Sequence, residues 1–319
     1  MKTLKKISII FPFVFAIFVV WLVIHLTGFN EPTAPPSPAQ TGNNYSFFVS
    51  GPEIPEKMDF AGEKVPLEFF DVRESLDREL IVNTYWHSST ILLLKRAYRF
   101  FPVIEPILKK NNIPDDFKYL AVIESGLTNA ISPANAVGYW QFLERTGREY
   151  GLEIHDEVDE RYHIEKSTRA ACRYLQEAYR KFNNWTLAAA SYNRGMGGIN
   201  KNLDFQKINS YYDLYLNEET ARYIYRILAI KLIFENPGDY GFKIRKKDLY
   251  APYQFRELEI DTPINNLIDF AAQQNTNYKI LKTLNPWLRK SYLNNKRNST
   301  YTIKIPEKNS RINSHYQDE

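Results

Sequence analysis

Between residues 66 and 242 the apolar residues return at helical spacing, and nowhere in that stretch do they alternate as in a strand. Each helix in such a run must bury one stripe against its neighbours, so the fold expected is mainly α. Periodicity and turn residues predict helices over 67–86, 88–101, 103–111, 115–124, 139–150, 166–182, 185–192, 211–216 and 218–236. The glycine-rich run Gly195-Met196-Gly197-Gly198 reads as a turn, and 45–66, with Pro52, Pro55 and Pro66, reads as an irregular lead-in.

One segment stands apart. Residues 119–152 open as a short apolar helix that runs into Glu124 and then break into a loop of small and turn-forming residues, among them Gly126, Asn129, Ser132, Pro133, Asn135 and Gly138. A carboxylate at the end of an apolar helix under such a loop is partly desolvated, which raises its pKa toward that of a general acid working near neutral pH. From Ser125 to Leu143 there is no Asp or Glu. A glycosidase that inverts or retains through two carboxylates needs a second acid across the bond, and the local chain offers none. Taken alone, Glu124 is an ordinary helix-terminal acid beside a surface loop.

Two further clusters follow. Four small residues, Ala188 to Ser191, lead into Tyr192-Asn193-Arg194-Gly195, and Leu216-Asn217-Glu218-Glu219-Thr220 opens a helix carrying Tyr223. By composition these are a helix C-terminus and an acidic helix start. With Glu124-Ser125, in this order, they resemble the lytic transglycosylases that have a goose-lysozyme-like (SLT) catalytic domain, and the membrane-bound D-type members above all. Glu124-Ser125 matches that family's catalytic pair. Asn129, Ser132, Gly138 and Gln141 match its loop positions, and Thr146-Gly147 with Tyr150-Gly151-Leu152 matches the segment after them. Tyr192, Asn193 and Gly195 match its Ala-Tyr-Asn-x-Gly motif, and Glu219-Thr220 with Tyr223 its Glu-Thr-x-x-Tyr segment. Glu144 and Asn217 stand where the family often has Pro.

The resemblance implies that Glu124 is the catalytic acid and that Ser125, Ser132, Gln141, Tyr192, Asn193 and Glu219 hold the sugar. The Tyr192 hydroxyl is expected beside the catalytic Glu, and Asn193 at the N-acetyl sugar or shaping the site. The implied reaction cleaves peptidoglycan between N-acetylmuramic acid and N-acetylglucosamine and closes a 1,6-anhydro ring, with no metal and no cofactor. Two alternatives stay open: a hydrolytic muramidase in which Glu219 or Asp159 activates water, and a wall-binding protein without activity. Asp159-Glu160-Arg161-Tyr162 otherwise reads as a structural helix approach with Ser167 as a cap.

The rest of the chain fits around this unit. Of 319 residues, 22 are Tyr and 20 Phe, suited to stacking on sugars as well as to filling a core. A net charge of +4 suits an anionic polymer, and no nucleic-acid motif is present. Lys2, Lys5 and Lys6 precede about twenty largely apolar residues, 7–26, a length that fits a membrane anchor within 1–29 better than a cleaved signal. That places the remainder on the periplasmic side of an inner membrane. The only cysteine, Cys172, falls in a helical pattern, which leaves no intrachain disulfide, no cysteine-based metal site and no lipid-bearing Cys after the apolar run. Residues 30–44 form a Pro-rich linker within the lead-in 30–65, ahead of a catalytic unit at 66–242. After a basic connector, 243–250, read as a solvated run, a strand at 253–260, helices at 265–274 and 278–284 and a strand at 301–305 make a βααβ order. That order over 251–307 resembles a degenerate LysM module with a long insert, 287–299, and it suits either a glycan-binding or a packing role. A polar tail, 308–319, follows. Protein partners cannot be read from the chain.

Overall fold

The computed structural model describes residues 50–312. The anchor and most of the linker expected near the N-terminus, and the last residues of the tail, lie outside them. Among the described residues the protein is mainly α, with ten helices and two two-stranded sheets. No helix of this region is long and apolar enough to cross a membrane.

The lead-in is more ordered than its prolines suggest. Strands β1 (Asp59–Phe60) and β2 (Glu63–Lys64) form a hairpin whose two-residue turn, Ala61 (φ 55°) and Gly62 (φ 80°), has the left-handed pair that matches strand twist. Two residues per strand are too few for alternation to register in sequence. The hairpin inserts Phe60, fully buried, against Phe117 with ring centroids 5.3 Å apart. Its Glu63 carboxylate accepts from Thr186 N (2.9 Å) and Thr186 Oγ1 (2.7 Å).

Helices α1 (Phe70–Tyr85) and α2 (His87–Lys110) follow. The break expected at Pro102 does not occur, and α2 runs through both Pro102 and Pro106. Each proline in a helix interior costs about 3 kcal/mol. Burial of Ala97, Ile104 and Leu108 on the inner face of α2 opposes that cost. A 3₁₀ turn, Asp115–Phe117, leads into α3 (Lys118–Ser125), which ends at Gly126 in the left-handed conformation (φ 60°). The helix expected over 139–150 shrinks to α4 (Glu144–Glu149). Gly138 (φ 81°) and Gln141 (φ 49°) take left-handed backbone that no helix passes through.

α5 (Ile164–Phe182) packs against α2 and against α6 (Trp185–Arg194). The glycine-rich run after α6 is not a turn. Only Gly195 (φ 78°) bends the chain, and α7 (Met196–Gln206) begins at once. The segment expected as a helix at 211–216 holds one 3₁₀ turn, Tyr211–Asp213. α8 (Glu218–Glu235) is the central helix, with Tyr223 to Tyr225 and Ile227 to Ile233 buried among α1, α3 and α6.

Downstream, β3 (Phe255–Ile260) pairs antiparallel with β4 (Tyr301–Pro306), from Phe255 opposite Pro306 to Ile260 opposite Tyr301. Helices α9 (Leu267–Gln273) and α10 (Tyr278–Leu284) cover this ribbon, in the βααβ order read from sequence. Its core includes Val137, Val158 and Tyr162 from the helical part, so the two parts share one apolar interface. The 287–299 insert supplies much of the seam. Asp159 N donates to Trp287 O (2.9 Å), Arg289 N to Glu157 O (2.7 Å), and Asn294 binds both Glu157 carboxylate oxygens (2.7 Å each). The connector keeps its lysines exposed, yet Tyr250 docks on α2, its ring under Lys95 Nζ (4.8 Å from the centroid).

Candidate active site

α3 is short and apolar, with Tyr119 to Val122 buried, and this delivers Glu124 to a cleft of about 410 Å³. The C-terminal end of α3, where unpaired carbonyls gather negative potential, is held by two guanidiniums. Arg226 Nη2 donates to Ile123 O (3.0 Å) and Arg96 Nη1 to Gly126 O (3.1 Å). Burial pushes the Glu124 carboxyl up to about 7, although the Tyr223 hydroxyl and the Arg226 charge pull it down; the Glu219 charge adds to the rise. Tyr223, one of the largest fully enclosed side chains, donates its hydroxyl proton to Glu124 Oε1.

The loop over the cleft is built from small bridges. Ser132 N donates to Ala136 O (2.9 Å), Gly138 N to Ala130 O (2.9 Å) and Val137 N to Phe142 O (3.0 Å). Gly138 is required as glycine, because a Cβ there would lie 2.0 Å from Arg161 O. Arg161 is itself buried in a pair with Asp159 (2.7 Å) and donates to Phe142 O (3.3 Å), so these two residues clamp the loop from beneath.

The sequence-predicted residues divide between the cleft and its frame. Ser132, Gln141, Tyr192, Asn193 and Glu219 line the cleft with Glu124. Ser132 Oγ accepts from Ala136 N (3.0 Å), and Gln141 Nε2 donates to Gly138 O (2.8 Å) and Ala130 O (3.1 Å). Asn193 Nδ2 donates to Glu219 Oε1 (3.0 Å), while its Oδ1 accepts from Thr220 Oγ1 (2.8 Å). Ser125 turns its hydroxyl to Tyr139 O (2.8 Å), joining the end of α3 to the loop. Asp159 lines none of this cleft.

Comparison with known proteins accords with this geometry. Residues 101–214 match the transglycosylase SLT domain, and residues 256–309 match the soluble lytic transglycosylase C-terminal LysM-like domain. The chain contains an SLT transglycosylase domain. Over 228 residues, 70% of this chain and 49% of the relative, it is 29% identical to membrane-bound lytic murein transglycosylase D of Escherichia coli K12, and equally to that of strain O6:H1. A putative tributyltin chloride resistance protein of Alteromonas sp. strain M-1 is 29% identical over 104 residues, 32% of this chain and 49% of that protein. The chain thus spans about half the length of the curated relatives it matches.

Two tyrosines stand at Glu124. Tyr223 bonds its carboxylate, while Tyr192, which lines the same cleft and feels the Glu124 charge, donates to Trp140 O (2.9 Å) and backs the loop. Trp140, fully buried, is anchored in turn by its Nε1 donating to Thr168 Oγ1 (2.8 Å). In the sequence Tyr223 stands out only as the last residue of the Glu-Thr-x-x-Tyr segment. Its spacing from Glu219, one helical turn along a face that ends at the cleft, is the signal that could have picked it out. Arg226, a further turn on, was missed for the same reason.

Proposed function

We propose that the protein is a peptidoglycan lytic transglycosylase, with Glu124 as acid and then base. The observation that carries the reading is a single desolvated carboxyl near pKa 7 at the cleft floor, held by a tyrosine hydroxyl. Among the described residues Glu219 is the only other carboxylate lining that cleft, and it lies exposed and bonded to Asn193. In this reading protonated Glu124 gives its proton to the oxygen linking N-acetylmuramic acid to N-acetylglucosamine as the C1–O bond breaks. The 2-acetamido group of the muramoyl sugar stabilises the developing positive charge, as in substrate-assisted glycosidases. Ionised Glu124 then takes the proton from the sugar's 6-hydroxyl, whose oxygen bonds to C1. One bond breaks, one forms, and no water is consumed. Asn193, Gln141 and Ser132 supply polar groups along the sugar, while Ser125 and Tyr192 hold the loop that carries them.

The partner is the glycan strand of the wall, and the LysM-like part, packed against the SLT domain, is a second surface for it. We infer anchoring in the inner membrane, with residues 50–312 on the periplasmic side, from the lysines ahead of the apolar residues 7–26. The units are 66–242, catalytic, and 251–307, LysM-like.

Mass spectrometry of fragments released from purified peptidoglycan tests the reaction. Muropeptides about 18 mass units lighter than hydrolysis products, one water fewer, and absent with Glu124→Gln, are expected. Reducing-end products would replace this reading with a muramidase using Glu219, the second acid of the same cleft. Binding without release would leave a wall-binding protein.

A further inference from the structure

Beside the cleft that holds Glu124 lies a second hollow of about 700 Å³, between α1, α2, the end of α3 and the start of α8. The two share Ile123, Glu219 and Arg226 in their walls, so Arg226 stands where they meet. A guanidinium has five N–H donors. That of Arg226 makes one hydrogen bond to protein, to Ile123 O, and no ion pair among the described residues. The other arginine of this hollow is neutralised: Arg222 binds the buried Glu79 (2.7 Å) and reaches Glu218 (3.4 Å). A half-buried guanidinium in the wall of a groove, with most of its donors unbonded to protein among the described residues, is suited to a carboxylate, which it can grip with two parallel bonds.

We propose that Arg226 recognises a carboxylate of the muramoyl substituent and so makes the groove selective for acidic glycan over neutral glycan. This rests on the glycan-cleaving reading above and adds the group by which the strand is told apart. The carboxylate belongs either to the lactyl ether of a peptide-free muramoyl sugar or to the peptide stem. Glu219, seven residues earlier on the same helix, has its backbone about 10 Å away along the axis, and its carboxylate accepts from Asn193 Nδ2 (3.0 Å). Exposed Trp86, in the wall of the second hollow, offers an aromatic face to the apolar part of the same substituent. A bound carboxylate also offsets the positive charge that draws the proton from Glu124, so an acidic substrate favours the protonated acid that cleavage needs.

The test uses Glu124→Gln protein, which binds without turnover, titrated with three soluble ligands. These are a neutral chito-oligosaccharide, a peptide-free muroglycan bearing lactyl carboxylates, and a peptide-bearing muroglycan whose lactyl carboxyls are amidated. Adding Arg226→Gln should weaken binding of an acidic ligand about tenfold more than that of the neutral one, as the loss of a charge-assisted hydrogen bond does. Adding Arg226→Lys instead should restore part of the loss. Loss confined to the peptide-free ligand assigns the lactyl group, and loss confined to the peptide-bearing one assigns the stem. Equal loss on all three ligands, or none on either acidic one, overturns the proposal. Products of the parent enzyme judge the catalytic reading separately, since anhydro ends appear or fail to appear whatever Arg226 contacts.

Discussion

In the proposed reaction, stability and activity pull in opposite directions at Glu124. Its carboxyl is raised from the ordinary range near 4.5 to about 7. The native state therefore favours the proton more than the unfolded chain does. That contribution is fully present below about pH 4.5 and is lost as pH rises to about 7. Above that the ionised buried group costs up to about 3 kcal/mol. Glu124→Gln keeps the acceptor for Tyr223 and removes the charge. It should cut glycan cleavage by about a thousandfold or more, yet raise the melting temperature at pH 8 and leave it nearly unchanged at pH 4. Melting curves at the two pH values measure this; no gain at pH 8 would mean that Glu124 is well solvated. Cleavage by the parent should fall as pH rises through about 7, where the acid loses its proton. The Tyr223 hydrogen bond favours the ionised form, so Tyr223→Phe should move that alkaline limb to higher pH while slowing the rate. Tyr192→Phe, which loses a bond to Trp140 O, should cost about 1 kcal/mol of stability and leave the limb in place.

Among the elements, the loop between α3 and α4 is the most exacting. Its shape depends on Gly138 passing against Arg161 O and on Arg161 staying paired with Asp159. Gly138→Ala combines a left-handed φ with a Cβ 2.0 Å from backbone, and should cost about 3 kcal/mol or more and abolish cleavage together with stability. Urea unfolding measures the first and the product assay the second. Gly197→Ala is the control, since nothing lies within 4 Å of its added Cβ and α7 is helical there. The element errors share a cause. Proline at 102 and glycines at 197 and 198 signal breaks locally, but packing of α2 and α7 onto the core outweighs the local preference. At 139–150 the reverse holds. A helical pattern is overruled by Gly138 and Gln141, whose backbone serves the loop's bridges.

For the whole molecule, the seam between the helical part and the LysM-like ribbon is the feature that local patterns least foretold. Glu165, at the start of α5, meets Lys304 of β4 and His163 (3.0 Å), and His163 stacks on Trp287 of the insert (5.8 Å between centroids). Burial alone would raise the Glu165 carboxyl, but His163 and Lys304 outweigh it and hold it at about 2. The stability this supplies is present above about pH 4.5 and is lost as pH falls toward 2. Lys304→Met should therefore destabilise the protein at pH 7 by several kcal/mol, through the uncompensated acid, and by much less near pH 2. Thermal melts across that range check it; an equal loss at both ends would assign the effect to packing. What the sequence alone determined is the class of the fold, the βααβ order of its C-terminal part, and Glu124 with the residues that match around it. Helical period, caps and motif spacing are local properties of a chain. The tertiary structure decided which tyrosine meets Glu124, which hydroxyls turn into the frame and where Arg226 points. It also decided that the insert at 287–299 welds two parts together. Those outcomes depend on residues about 100 to 140 positions apart, such as Tyr223 with Glu124 and Lys304 with Glu165, brought together by burial of surfaces that no local pattern assigns to one another.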